Sequence, residues 1–112
     1  MRPTPRRRIA RRVDVYDAIA DPTRRRIIDL LRDRELPVNT LAESFRVSRP
    51  AISQHLGVLR RARLVRERRV GRERRYRLDA LALREVATWL GRYERFWTTG
   101  LRKLGQYLES EE

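Results

Sequence analysis

The chain has 112 residues, one domain at the usual ~100–150 residues per domain, and 28 Lys plus Arg against 15 Asp plus Glu give a formal net charge of +13. Cysteine is absent, which excludes disulfides, thiolate metal sites and cysteine nucleophiles, and a single His leaves most zinc chemistry without ligands. No apolar run approaches the roughly 20 residues of a membrane-spanning helix, and 40% hydrophobic residues suits a soluble globular chain.

Residues 1–12 carry six Arg and no acid and, with Pro3 and Pro5, read as a flexible basic arm. Arg6-Arg7-Arg8 resembles the charged start of an export signal, but Asp14, Asp17 and Asp21 interrupt the stretch where an apolar segment has to follow. The expected location is therefore the cytoplasm. Val13 to Ala20 reads as a short apolar-rich turn. Asp21-Pro22-Thr23 then supplies an N-cap followed by proline at the first helical position. Ile27, Ile28, Leu30 and Leu31 make an apolar stripe, which predicts an amphipathic helix from Pro22 to about Asp33. Leu36-Pro37-Val38 breaks it, and Asn39 or Thr40 can cap a short third helix through Leu41, Ala42 and Phe45. Arg46-Val47 forms a turn, and Ser48 caps a fourth helix reaching about Ala62.

The last two helices have the spacing of a helix-turn-helix. At 100° per residue, Ile52, Leu56 and Leu59 cluster on one side of the fourth helix. Its other side shows Pro50, Gln54, Gly57 and Arg61, flanked by Ser53 and Val58. Gln reads adenine bidentately and Ser is a tolerant donor or acceptor, while Ser48 leaves a helix N-terminus free to face a phosphate. An ordinary solvated helix face carries similar residues. His55 falls at the border of the two sides and suits a structural role as well as a contact to phosphate or base. Ser53 and His55, two positions apart, cannot form a nucleophile–base pair, and no Gly-rich phosphate loop or carboxylate pair stands out, so no catalytic residue is expected.

Leu64 to Arg69 and Arg74 to Leu78 flank a turn holding Gly71, with Val65, Tyr76 and Leu78 alternating with Arg in a half-buried ribbon. Residues 60–77 contain ten Arg against Glu67 and Glu73, a local charge of +8, and outside this segment and the arm the chain sums to −1. Clustered positive charge is the footprint of a phosphate-binding surface. Protection of an exposed sheet edge accounts for part of this charge only. A helix-turn-helix followed by a basic hairpin is the winged-helix order, and Arg68, Arg69, Arg72, Arg74 and Arg75 are expected on the DNA backbone or in the adjacent minor groove.

After Asp79, apolar residues recur at Val86, Leu90, Tyr93, Trp97, Leu101, Leu104 and Leu108, a near-heptad seam on one helix of about 25 residues. With Trp89 and Phe96 it offers more apolar surface than so small a core covers, so Val86, Leu90, Tyr93, Trp97, Leu101 and Leu104 are the expected homodimer contact. Glu109, Glu111 and Glu112 read as a solvating acidic tail. The fold class is thus mostly α with a small β-hairpin: a basic arm over 1–12, a winged helix-turn-helix over 13–79, and over 80–112 a long dimerisation helix and tail of the same domain.

Asp21-Pro22-Thr23-Arg24-Arg25-Arg26-Ile27, Leu41-Ala42-Glu43, Val47-Ser48-Arg49-Pro50-Ala51-Ile52-Ser53-Gln54-His55-Leu56, Leu59 and Leu64-Val65 together resemble the ArsR family of bacterial winged-helix repressors. The resemblance runs from about Val13 to Leu78, and the long terminal helix fits it. It implies a dimeric repressor associated with the bacterial nucleoid, paired through its first and last helices, whose helix Ser48–Ala62 reads the major groove. Ser48, Arg49, Pro50, Ser53, Gln54, His55 and Arg61 are the candidate reading residues. Founding members bind arsenite or a soft metal through a Cys-containing motif at the start of the third helix. Here that stretch is Leu36-Pro37-Val38-Asn39-Thr40-Leu41, without Cys, and the final helix has no His for the other familiar site. The resemblance is therefore to a metal-independent branch, with no cofactor and no metal. Autorepression, or a hydrophobic ligand or protein effector near Trp89 and Phe96, is left as the means of control. The expected function is a homodimeric repressor on a palindromic double-stranded DNA operator. A sequence-indifferent architectural DNA protein is the competing reading. An RNA-binding module fits less well, because Trp89, Phe96 and Trp97 lie in a helix seam rather than on a stacking platform.

Overall fold

A computed structural model describes residues 13–110. The arm 1–12 and the tail residues Glu111 and Glu112 lie outside the described residues, as does the side chain of Leu101. The elements are α1 (Val15–Ile19), α2 (Pro22–Leu30), β1 (Leu36–Pro37), α3 (Val38–Glu43), α4 (Arg49–Arg61), β2 (Val65–Val70), β3 (Glu73–Leu78), a 3-10 turn (Ala80–Leu83), α5 (Arg84–Gly91) and α6 (Glu94–Ser110).

Local chemistry starts three of the helices. The Asp14 carboxylate accepts from the Tyr16 N–H at 2.6 Å, so Val13 to Ala20 holds a helix rather than a turn. Asp21 accepts from the Arg24 N–H at 3.0 Å with Pro22 at the first helical position, and the Ser48 hydroxyl accepts from the Ala51 N–H at 3.2 Å. Helix α2 ends at Leu30, short of the predicted Asp33. Helix α3 begins directly after Pro37, whose φ of −72° suits the entry, and neither Asn39 nor Thr40 caps it.

The end of α4 is a Schellman motif. The Arg63 N–H bonds the Arg60 carbonyl and the Leu64 N–H bonds the Leu59 carbonyl, both at 2.9 Å, with Leu64 buried beneath. Arg63 takes the left-handed position, φ 64°, that glycine usually fills.

The sheet has three antiparallel strands in the order β1-β3-β2. Strands β2 and β3 pair from Val65↔Leu78 to Val70↔Glu73, and Gly71 at φ 62° makes the tight turn between them. Leu36-Pro37, expected only to break a helix, pairs with β3 through Leu36↔Tyr76 and Pro37↔Arg75. A proline is tolerated on such an edge, and the third strand gives the ribbon support that two strands alone lack.

Ile27, Leu31, Leu41, Ile52, Leu56, Leu59, Leu64 and Val65 are fully buried, with Val15, Ala18, Val38 and Tyr76 around them. The core thus lies between α2, α3, α4 and one face of the sheet, and the predicted Ile52, Leu56 and Leu59 stripe is at its centre.

The C-terminal third departs from the single long helix. Helix α5 ends at Gly91 and α6 starts at Glu94, with the Tyr93 N–H bonding the Leu90 carbonyl and the Phe96 N–H bonding the Tyr93 carbonyl, each at 2.9 Å. Gly91 is the weakest helix former at the join. Val86 packs against the core, whereas Leu90, Tyr93, Trp97 and Leu104 are exposed on the single chain. Trp89 meets Tyr16 edge-on at 5.9 Å, and the Tyr16 hydroxyl donates to the Glu85 carbonyl at 3.2 Å, fastening α5 to α1. Among the described residues no helix is long and apolar enough to cross a membrane.

Candidate nucleic-acid interface

Burial of Ile52, Leu56 and Leu59 turns the opposite side of α4 outward, and Arg49, Pro50, Ser53, Gln54 and Arg61 are exposed there. Pro50, Ser53, Gln54 and Arg61 border a groove of about 660 Å³ that runs past Gly57 to Arg24. His55 is half-buried beside it. Its Nδ1 lies 3.3 Å from Arg24 Nη1 and 4.0 Å from Asp21 Oδ2. A guanidinium can only donate, so Nδ1 is the acceptor in this contact. Arg24 also donates from Nε to the Ala18 carbonyl at 2.7 Å and from Nη2 to the Asp17 carbonyl at 3.1 Å, so it ties α4 to the end of α1.

Strand alternation sorts the wing's charges onto two faces. Val65, Glu67 and Arg69 share one face with their partners Leu78, Tyr76 and Arg74, and this is the face that meets the core. On it Glu67 accepts from the Tyr76 hydroxyl at 3.0 Å and from Arg60 Nη1 at 3.0 Å, with Arg74 Nε at 3.6 Å. Beyond the core this face looks onto the start of α4. Arg49 and Ser53 from the helix, with Arg69, Arg72 and Arg74 from the wing, line a cleft of about 460 Å³ there, and Glu73, bonded to Arg75, is also on its wall. Among the described residues, no acid lies within ion-pair distance of Arg49, Arg69 or Arg72. Unpaired guanidiniums flanking a helix N-terminus make a strong seat for phosphate.

The outer face is different. Arg68 donates from Nε and Nη2 to the two oxygens of Glu35 at 3.1 and 2.7 Å. Arg75 donates from Nε to Glu35 at 3.0 Å and from Nη1 to Glu73 at 2.8 Å, and Arg66 donates to Asp79 at 2.8 Å. The hydrogen bonds from Arg68 and then Arg75 hold the Glu35 carboxyl down to about 2. Arg68 and Arg75, expected beside Arg69, Arg72 and Arg74 on DNA, thus sit on the side turned from α4 and are already paired with carboxylates. Glu35 belongs to no sequence motif, and no local signal marked it. Among the described residues no group of His, Cys, Asp and Glu side chains is arranged to hold a metal ion.

Residues 21–67 match the family model for bacterial regulatory proteins of the arsR family. The HTH-type transcriptional regulator Rv2034 of Mycobacterium tuberculosis is 46% identical over 96 residues, covering 86% of this chain and 87% of its own. The transcriptional repressor SdpR of Bacillus subtilis is 38% identical over 77 residues, 69% of this chain and 86% of its own. A solved structure described as a possible transcriptional regulator for arsenical resistance is 46% identical with a TM-score of 0.66, covering 76% of this chain and 85% of that one. Fold, basic interface and likeness together define a winged helix-turn-helix DNA-binding transcriptional regulator. The chain belongs to the arsR family.

Proposed function

We propose that this regulator is a homodimeric repressor that reads a palindromic operator, with α4 in the major groove and the wing on the flanking backbone. The observation that carries the reading is the cleft in which Arg49, Arg69 and Arg72 converge beside the exposed Ser53 and Gln54. Gln54 and Ser53 are the base readers, and the three arginines are the phosphate anchors. Leu90, Tyr93, Trp97 and Leu104 supply the contact between copies. Two-fold pairing then places two copies of α4 in successive major grooves about 34 Å apart. Control does not run through a Cys- or His-rich metal site, because the chain lacks Cys and has a single His. Occupancy of the operator follows the protein's own abundance, or a hydrophobic effector at Trp89 and Phe96.

Footprinting on the DNA upstream of its own gene tests the reading. Protection of an inverted repeat with half-sites about 10 base pairs apart is expected. Equal affinity for a scrambled duplex of the same composition refutes it in favour of an architectural DNA protein.

A further inference from the structure

We propose that Glu35 is a specificity-determining residue, which withholds Arg68 and Arg75 from the DNA backbone by occupying both guanidiniums with one carboxylate. The inference rests on the DNA-reading assignment of α4 and the wing. Arg68 and Arg75 are direct cross-strand partners on the outer face of the hairpin. Like charges in that position repel, and both would be free to take phosphate if nothing neutralised them. Glu35 does neutralise them, through the same two-pronged geometry that a phosphate offers to Arg68, and it shares Arg75 with Glu73, which accepts from Nη1 at 2.8 Å. Its side chain is only 20% exposed, and the strand that follows it is fixed to β3 by the Pro37↔Arg75 pair, so the carboxylate is held at the wing rather than swinging in solvent.

A hairpin entering a groove has a phosphate strand on each side. The inner face with Arg69 and Arg74, together with Arg72 at the turn, meets one of them. A freed Arg68, joined by Arg75 to the extent that Glu73 releases it, would grip the other, and phosphate contacts add affinity for every sequence alike. Glu35 thus trades total affinity for discrimination between operator and bulk DNA.

The test is Glu35→Gln, which keeps size and a hydrogen-bond acceptor but removes the charge, measured on operator and scrambled duplexes between about 50 and about 200 mM salt. The salt dependence on scrambled DNA is expected to steepen by about one to two units, for one or two new phosphate contacts. The variant's affinity relative to wild type then rises about 3- to 12-fold as salt is lowered across that range, and the preference for operator falls. Arg68→Gln is expected to leave the wild-type slope unchanged and to take about one unit back in the Glu35→Gln background. A folded Glu35→Gln protein with an unchanged slope overturns the inference. So does an Arg68→Gln single variant that loses about one unit, since Arg68 then already touches DNA; this arm decides the matter even if Glu35→Gln does not fold. Failure of the DNA reading itself looks different: wild-type protein binds neither duplex, and the inference falls with it.

Discussion

Replacing Trp97 by Glu tests the contact between copies. Trp97 is 46% exposed on the single chain, and Leu90, Tyr93 and Leu104 are exposed as well. A tryptophan buries up to about 250 Å², so covering the exposed part removes about 110 Å² from water, worth about 3 kcal/mol at ~25 cal/mol per Å². Two-fold symmetry counts the contact once from each copy. Since such areas are upper bounds, the loss per dimer is about 4–6 kcal/mol, before any cost of desolvating the new carboxylate. At about 1.4 kcal/mol per decade, the dimer dissociation constant rises by about 10³- to 10⁴-fold. Sedimentation equilibrium reads this directly, with far-UV circular dichroism to verify that the helices persist. Operator affinity is expected to fall with dimerisation, because a lone copy of α4 reads one half-site. A Trp97→Glu protein that remains dimeric at micromolar concentration with wild-type operator affinity would refute the assignment of this face.

Arg63→Gly relieves the left-handed residue at the end of α4 and is expected to stabilise the fold by about 0.5–1 kcal/mol, the left-handed penalty less glycine's entropy, raising Tm by several degrees in a calorimetric scan. The Glu35 carboxyl sits below its ordinary 4.5 at about 2, so its pairing stabilises the fold fully above pH ~4.5 and is lost as pH falls toward 2. Melting curves of wild type and Glu35→Gln are therefore furthest apart above pH ~4.5 and converge on acidification; a constant gap contradicts the pairing. Gln54→Ala is expected to relax base preference by about 1–3 kcal/mol at one position, whereas Arg72→Ala weakens all sequences and flattens the salt slope by about one unit in competition binding. Reversal of those two phenotypes exchanges the roles of helix and wing.

The elements legible in the sequence are those whose cause is local. Asp21 with Pro22, Ser48, the Ile52, Leu56 and Leu59 stripe and the turn at Gly71 each act within a few residues, and each is found in place. What escaped depends on distant partners. Leu36-Pro37 becomes a strand only because Tyr76 and Arg75 lie alongside, and the local reading of a proline there is a break. Glu35 is 33 residues from Arg68 and 40 from Arg75, so nothing near it announces a clamp. His55 stood at a border with two roles open, and the contact with Arg24 that fixes its ring is 31 positions away. The join between α5 and α6 escaped for another reason. Periodicity reports which side of a segment is apolar and is blind to whether the backbone runs through Gly91 unbroken.

Glu67 gathers Arg60 from α4 with Tyr76 and Arg74 from β3 around one carboxylate. Helix and wing are thereby linked through one shared carboxylate. In the proposed dimer the two helix-and-wing units gauge the phase between two half-sites, since each extra base pair of spacer shifts the second half-site by about 3.4 Å and turns it by about 35°. An inserted base pair should then defeat binding even where both half-sites are perfect.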